Sequence, residues 1–314
     1  MVGVFFSEAL RMFQNSTGAK TMSVHVQIEE FHRPRDLAQA VEILSRFGRK
    51  ASVIAGGTDV LPLRPGVKKM DNINHLVDIS KLGLTYLEKE TDCIRIGAAT
   101  HINMIGASPL FLSGPYRALS EAANGHSTTT IRNRATVGGN LCNASPCADF
   151  ALPLLVLDAI LVAAGPKGKR EIPIRDFFKG PNYMALETDE VLLEIRIPQC
   201  SEKAGAAFVK LRRQQTAIDM AVVNVATFLI CHKGRCEVAR IALGAVGPIA
   251  FRAKKAESVL AGAEINKEII EEAAAAAAKE ARPIDDIRAT AAYRKKMVGV
   301  LVRRSLENSI RRCG

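Results

Sequence analysis

The chain contains no tryptophan, and only 5% of its residues are aromatic. A nucleic-acid groove combines basic side chains with aromatic ones, and that combination is missing. The net charge of +11, from 43 basic and 32 acidic residues, therefore reads as a solvated basic face or a surface for an acidic partner subunit. No apolar run reaches the roughly 18 residues of a membrane span, so no membrane-spanning segment is expected. There is no G-x-G-x-x-G, and no glycine loop carries a P-loop lysine. The usual dinucleotide fold and a nucleoside triphosphatase are both excluded on that ground. No Ser/His/Asp arrangement and no acid–base pair can be picked out, so no catalytic residue is named. The seven cysteines (Cys93, Cys142, Cys147, Cys200, Cys231, Cys236 and Cys313) are odd in number and widely spaced, with no secretory signal. That suits a reducing cytosol, and the expected compartment is the cytoplasm. Two C-x4-C spacings fall short of the four well-placed thiolates an iron–sulfur cluster needs, so no metal site is expected.

What the chain does have is two glycine-hydroxyl turns. Ala55-Gly56-Gly57-Thr58-Asp59 follows the apolar run Ser52-Val53-Ile54, which reads as a buried strand. About eighty residues on, 130–149 reads TIRNRATVGGNLCNASPCAD. Adjacent glycines let backbone N–H groups approach a bulky anion and adopt positive φ at little cost. Thr136 and Asn140 add side-chain hydrogen-bonding groups. An isolated Gly-Gly is usually a plain turn. Two such turns, dense in small and polar residues, suggest one pyrophosphate held between two loops.

AGGTD followed by TIRNRATVGGNLCNASPxAD resembles the FAD-binding subunit of the molybdenum hydroxylases, a group that includes xanthine dehydrogenase and carbon monoxide dehydrogenase. The resemblance runs from about Met22 to the C-terminus. It implies an α+β fold: a two-part FAD-binding domain of the vanillyl-alcohol-oxidase (PCMH) type, then a C-terminal domain with a three-stranded antiparallel sheet and helices. Carried onto this chain, it assigns FAD contacts to Val53, Ile54, Ala55, Gly56, Gly57, Thr58, Asp59 and Val60 in the first loop. In the second it assigns Ile131, Ala135, Thr136, Gly138, Gly139, Asn140 and Asn143. Asp149 is implied on the ribityl hydroxyls, as suits an acceptor-only carboxylate. The competing reading makes it the N-cap of a helix over 150–157. Val191 and Leu192 are implied against the isoalloxazine, where ordinary core residues would look the same. Lys210 is implied near the pyrimidine edge, where a cation would stabilise the reduced anion.

Residues 1–22 read as an N-terminal extension, expected to be disordered. The FAD-binding domain is expected over 23–200, in subdomains of about 23–80 and 81–200, and the C-terminal domain over 203–314. A helix is predicted over 31–48, with Pro34 in its first turn and Gly48 at its end. A last helix is predicted over 289–312, packing through Tyr293, Met297, Val300, Leu301 and Leu306, with its Arg and Lys residues solvated or facing a partner. His101 and His126 are noted; His126 has no partner acid near it in sequence.

The resemblance implies an electron-transfer subunit. Substrate chemistry would lie on a molybdopterin large subunit, and electrons would pass through an iron–sulfur small subunit to FAD here. From FAD they would reach an acceptor such as NAD. The alternative is a self-contained FAD oxidase or dehydrogenase, which would need a substrate domain richer in polar catalytic residues than 203–314.

Overall fold

The computed structural model describes residues 28–61, 72–201, 203–213 and 220–313. The expected extension over 1–22 lies outside them. Three hydrophobic cores organise the rest.

The first sheet holds β1 (Glu30–His32), β2 (Ala51–Ile54) and β3 (His75–Asp78), all parallel in the order β1-β3-β2, with helix α1 (Leu37–Phe47) between β1 and β2. The predicted helix start at residue 31 is corrected. Pro34 biases the residue before it away from helical geometry. Asp36 is the N-cap instead, its carboxylate accepting from the Gln39 amide at 2.9 Å. Ala40 and Leu44 of α1 pack with Val77 into a small core.

The second sheet is built from β4 (Leu87–Lys89), β5 (Cys93–Gly97), β6 (Ile160–Gly165), β7 (Gly168–Pro173) and β10 (Val191–Pro198). It is antiparallel throughout, in the order β4-β5-β10-β6-β7. Between β5 and β6 run the short helices α2 (Ile102–Ala107), α3 (Arg117–Asn124), α4 (Thr129–Arg132), α5 (Val137–Cys142) and α6 (Ala151–Val156). A hairpin of β8 (Phe178–Gly180) and β9 (Tyr183–Met184) precedes β10.

Strand β10 is buried on both faces. Val191 and Leu193 join the small core of α1, while Leu192, Ile195 and Ile197 join the main core. An irregularity against β6 between Leu192 and Glu194 shifts the alternation, which is how Leu192 and Ile195 come to face one core. Glu194, also buried, accepts from the Tyr86 hydroxyl at 2.6 Å, from Arg95 Nη2 at 2.6 Å and from Arg196 Nε at 2.6 Å. Burial alone would raise its pKa; these donors outweigh it and hold the carboxyl below its ordinary value.

The C-terminal sheet has β11 (Ala204–Arg212), β12 (Ala221–His232), β13 (Arg235–Gly244) and β14 (Phe251–Arg252), antiparallel in chain order. The expected three strands are thus joined by a fourth, only two residues long and too short to leave a periodic signal. Helices α7 (Lys254–Leu260), α8 (Lys267–Glu280) and α9 (Ala291–Ile310) cover one face. The other face carries Ala226 and Phe228 into the main core.

The stripe of α9 differs from the predicted one. Arg294, Val298, Leu301, Val302, Ser305, Leu306 and Ser309 are buried, whereas Tyr293 is half exposed. Arg294 reads as a solvated charge in sequence. In the fold it donates to the carbonyls of Val222 (2.9 Å) and Ala245 (2.8 Å) and to Asp286 (2.7 Å), which lets the guanidinium be buried.

Candidate functional site

The first loop begins where β2 stops pairing with β3 at Ile54. Gly57 has φ +75°, the left-handed region that glycine enters without strain. Gly56 is required by contact instead: a Cβ there would lie 1.9 Å from the Arg134 carbonyl oxygen. The two turns, distant in sequence, therefore touch through Gly56 and residues 134–135.

The second turn is not a turn. Gly138 and Gly139 sit in the first turn of α5, with Thr136 as its N-cap accepting from the Gly139 amide at 3.1 Å. Neither glycine has positive φ, so that part of the expectation is corrected. Gly138 permits close packing: a Cβ would lie 2.6 Å from the Ala98 carbonyl oxygen. The amides are also engaged. Val137 donates to Thr100 O, Gly138 to Ala98 O, and Asn140 to Thr136 O, at 2.9–3.0 Å. Among the described residues, the amides of Gly57, Thr58 and Asp59 have no protein acceptor. N–H groups for an anion thus come from the first loop, with the second supplying a polar edge.

A cleft of about 1020 Å³ opens beside the two loops, at the upper end of the roughly 300–1,000 Å³ usual for small-molecule sites. Val53, Ala55, Gly56, Gly57, Thr58, Asp59 and Val60 line it from the first loop. Ala135, Thr136, Gly138, Gly139, Asn140 and Asn143 line it from the second, and Val191 and Leu192 from β10. Four of the named residues are not part of that wall: Ile54, Ile131, Asp149 and Lys210. Ile54 is buried within the first sheet, and Ile131 is exposed on α4.

Asp149 and Lys210 are paired behind the wall. Lys210 Nζ lies 2.8 Å from Asp149 Oδ2, and the side chains are 8% and 4% exposed. Asn224 Nδ2 donates to Asp149 Oδ1 at 3.4 Å, and His126 Nδ1 lies 3.0 Å from Oδ2. Burial alone would raise the Asp149 pKa. The hydrogen bond from His126 and the Lys210 charge win, holding the carboxyl below its ordinary value. The N-cap alternative is not realised: α6 starts at Ala151 after Phe150, with no side-chain cap.

Sequence reading passed over several parts of the wall. Pro181, Asn182, Met184 and Leu186 reach it from the β8–β9 hairpin and the segment after it, and Ala245, Gly247 and Pro248 from the loop after β13. Asn182 (φ 58°) and Ala245 (φ 61°) hold left-handed backbone there; only the Pro-Asn and Gly-Pro dipeptides hint at these turns in sequence. His101 packs elsewhere, its Nδ1 3.3 Å from the Arg134 carbonyl oxygen.

This donor set fits a flavin dinucleotide. One end offers amides with no acceptor among the described residues, beside the Thr58 and Thr136 side chains, as suits a pyrophosphate, and the aliphatic side chains of Val191, Leu192, Met184 and Leu186 offer a surface for a flat ring.

Comparison with known proteins agrees. Residues 24–200 match the family model described as the FAD binding domain in molybdopterin dehydrogenase, and residues 206–309 match the CO dehydrogenase flavoprotein C-terminal domain. The chain is 33% identical to the carbon monoxide dehydrogenase medium chain of Hydrogenophaga pseudoflava, over 90% of this chain and 98% of that one. It is 31% identical to a putative xanthine dehydrogenase FAD-binding subunit of Escherichia coli, over 90% and 97%. A solved structure of carbon monoxide dehydrogenase from Hydrogenophaga pseudoflava superposes with a TM-score of 0.86 at 33% identity, covering 91% of this chain and 99% of that one. Quinoline 2-oxidoreductase from Pseudomonas putida 86 superposes with a TM-score of 0.81 at 26% identity, over 90% and 96%. The chain therefore belongs to the FAD-binding medium subunits of the molybdenum hydroxylases, oxidoreductase flavoproteins whose cofactor is FAD.

Proposed function

We propose that this chain is the flavin relay of a multi-subunit molybdenum hydroxylase. It receives electrons from iron–sulfur clusters of a small partner subunit, which draws them from a molybdopterin large subunit. It passes them to an external acceptor such as NAD. Bound FAD supplies the exchange between two-electron and one-electron transfer. The fold reading that goes with this is the two-subdomain, vanillyl-alcohol-oxidase type.

The observation that carries the proposal is the contact of the two glycine loops at Gly56 and Arg134, beside a cleft whose far wall is aliphatic. In this reading the amides of Gly57, Thr58 and Asp59 hold the pyrophosphate, with Thr136, Asn140 and Asn143 beside them. Val191 and Leu192 support the ring. Asp149 and Lys210 act from behind the wall and set its electrostatics. The relatives named as medium chains and FAD-binding subunits support the division of labour, because this chain spans nearly their whole length.

The test is affinity capture of the tagged chain from its own host, with flavin, iron and molybdenum measured in the eluate. Stoichiometric FAD together with iron and molybdenum, and flavin that NADH reduces, is the expected result. A chain that elutes alone with FAD and is reduced directly by a small organic substrate would favour the self-contained oxidase.

A further inference from the structure

His126 lines the cleft and has no task in the assignment above. Its Nδ1 lies 3.0 Å from Asp149 Oδ2, and its side chain is 18% exposed. An ionised carboxylate only accepts hydrogen bonds, so Nδ1 carries the proton in that contact. Nε2 takes no hydrogen bond from a described residue. It is the ring nitrogen left for the cleft, an acceptor when the ring is neutral and a donor when it is charged.

The base of this side chain is fixed. Arg132 Nη1 donates to the carbonyls of His126 (3.1 Å) and Ser127 (2.9 Å), and Phe150 meets the ring edge-on at 6.5 Å. Lys210 shares Asp149 Oδ2, and Arg212 donates to the Gly125 carbonyl. Other charges on the cleft wall are Asp59, Glu187, Glu190, Asp286, Arg282, Arg288 and Arg294.

We propose that His126, oriented through Nδ1 by Asp149, presents Nε2 to bound FAD as the hydrogen-bonding and proton-bearing side chain of the cleft. Asp149 and Lys210 are positioning residues that act through it. The inference rests on FAD occupying this cleft. Reduction by two electrons with uptake of one proton leaves one negative charge at the site. A second proton, taken from solvent and held at Nε2, balances that charge.

The substitution His126→Asn separates this role from a structural one. Its amide nitrogen can stand where Nδ1 stands and keep the bond to Asp149, while nothing replaces Nε2. The measurement is the FAD midpoint potential of the full chain against pH, with FAD content determined in parallel. In the wild-type chain two protons accompany two electrons over the pH range in which reduction protonates Nε2. In His126→Asn the slope of potential against pH over that range falls to half, with FAD still bound. An unchanged slope in a variant that retains FAD overturns the role of His126 and leaves the cofactor assignment standing. A wild-type chain that takes up no FAD overturns both.

Discussion

Replacing Asp149 by Asn would leave a buried cation without its counter-charge. The Lys210 ammonium sits 2.8 Å from Asp149 Oδ2 with its side chain 8% exposed, so water cannot readily take over. Breaking a buried pair from one side costs about 3–5 kcal/mol. At about 2.1 cal/mol/K per residue, 314 residues have an unfolding entropy of about 0.66 kcal/mol/K. The expected fall in Tm is thus about 5–8 °C. Adding Lys210→Met removes the orphaned charge too, and the double variant should recover to within about 2 kcal/mol of wild type.

The pH dependence has a definite sign. Burial pushes the Asp149 carboxyl upward, but the His126 hydrogen bond and the Lys210 charge hold the folded value below the ordinary one. A depressed folded value means stability that is present above the unfolded pKa of about 3.9 and lost as pH falls through the folded value. The gap between wild type and Asp149→Asn should be constant from neutral pH to about 5 and should close in stronger acid. Thermal melts followed by circular dichroism measure the FAD-free wild type, both single variants and the double variant. A single variant within about 1 °C of wild type, or a double variant as unstable as the sum of the singles, would refute the buried-pair argument.

Gly56→Ala should separate the two loops, since its Cβ would lie 1.9 Å from the Arg134 carbonyl oxygen. FAD content should fall to near zero, and a variant isolated with full FAD would show that the loops need not touch. Gly138→Ala meets Ala98 backbone at 2.6 Å, so it should destabilise the FAD-free fold as well, by about 1–3 kcal/mol for an overpacked site; a melt identical to wild type would count against that packing role. Glu194→Gln should cost about 1.5–3 kcal/mol, as for hydrogen bonds to a charged group, read as a shift in the urea midpoint. Burial, and then the bond to Glu194, pushes Tyr86 up to about 12. In Glu194→Gln the tyrosine should titrate at lower pH in an ultraviolet difference titration, and an unchanged titration would mean burial alone sets it.

The chemistry of the site was legible because it is local in sequence. Thirteen consecutive or near-consecutive positions in two short motifs, plus Val191 and Leu192, line one cleft in the fold. Local signals also placed β2, whose short apolar run ends at the first glycine loop. What escaped was pairing over distance. His126, Asp149, Lys210 and Asn224 come from four segments, and no spacing rule brings them together. The resemblance implies Lys210 near the flavin, and only the fold shows that its ammonium also meets the Asp149 carboxylate. Arg294 misled the reading of α9 in the same way, since a guanidinium is burial-tolerant only where backbone carbonyls await it. For Gly138 only the expected positive φ fails, because sequence distinguishes a glycine needed for positive φ from one needed for close packing only weakly.

The walls of the cleft belong to three different cores, and this links binding to cohesion. Val53 and Ala55 pack against the small core of α1, Leu192 and Ala135 belong to the main core, and the segment around Ala245 and Gly247 follows β13 of the C-terminal sheet. Strand β10 is shared by two of these cores, through Val191 and Leu193 on one side and Leu192 on the other, as is its neighbour β6 through Ala164 and Leu161. A ligand that touches all three walls binds only when they are together, so its free energy of binding adds to their cohesion by mass action, about 2.7 kcal/mol at a hundred times Kd. Loss of the cofactor should then loosen the junctions before it loosens any single core. Hydrogen exchange with and without FAD should show the largest change at the Gly56–Arg134 contact and at the loop after β13. Protection gained uniformly across the three cores would instead mean that the cleft is rigid without its ligand.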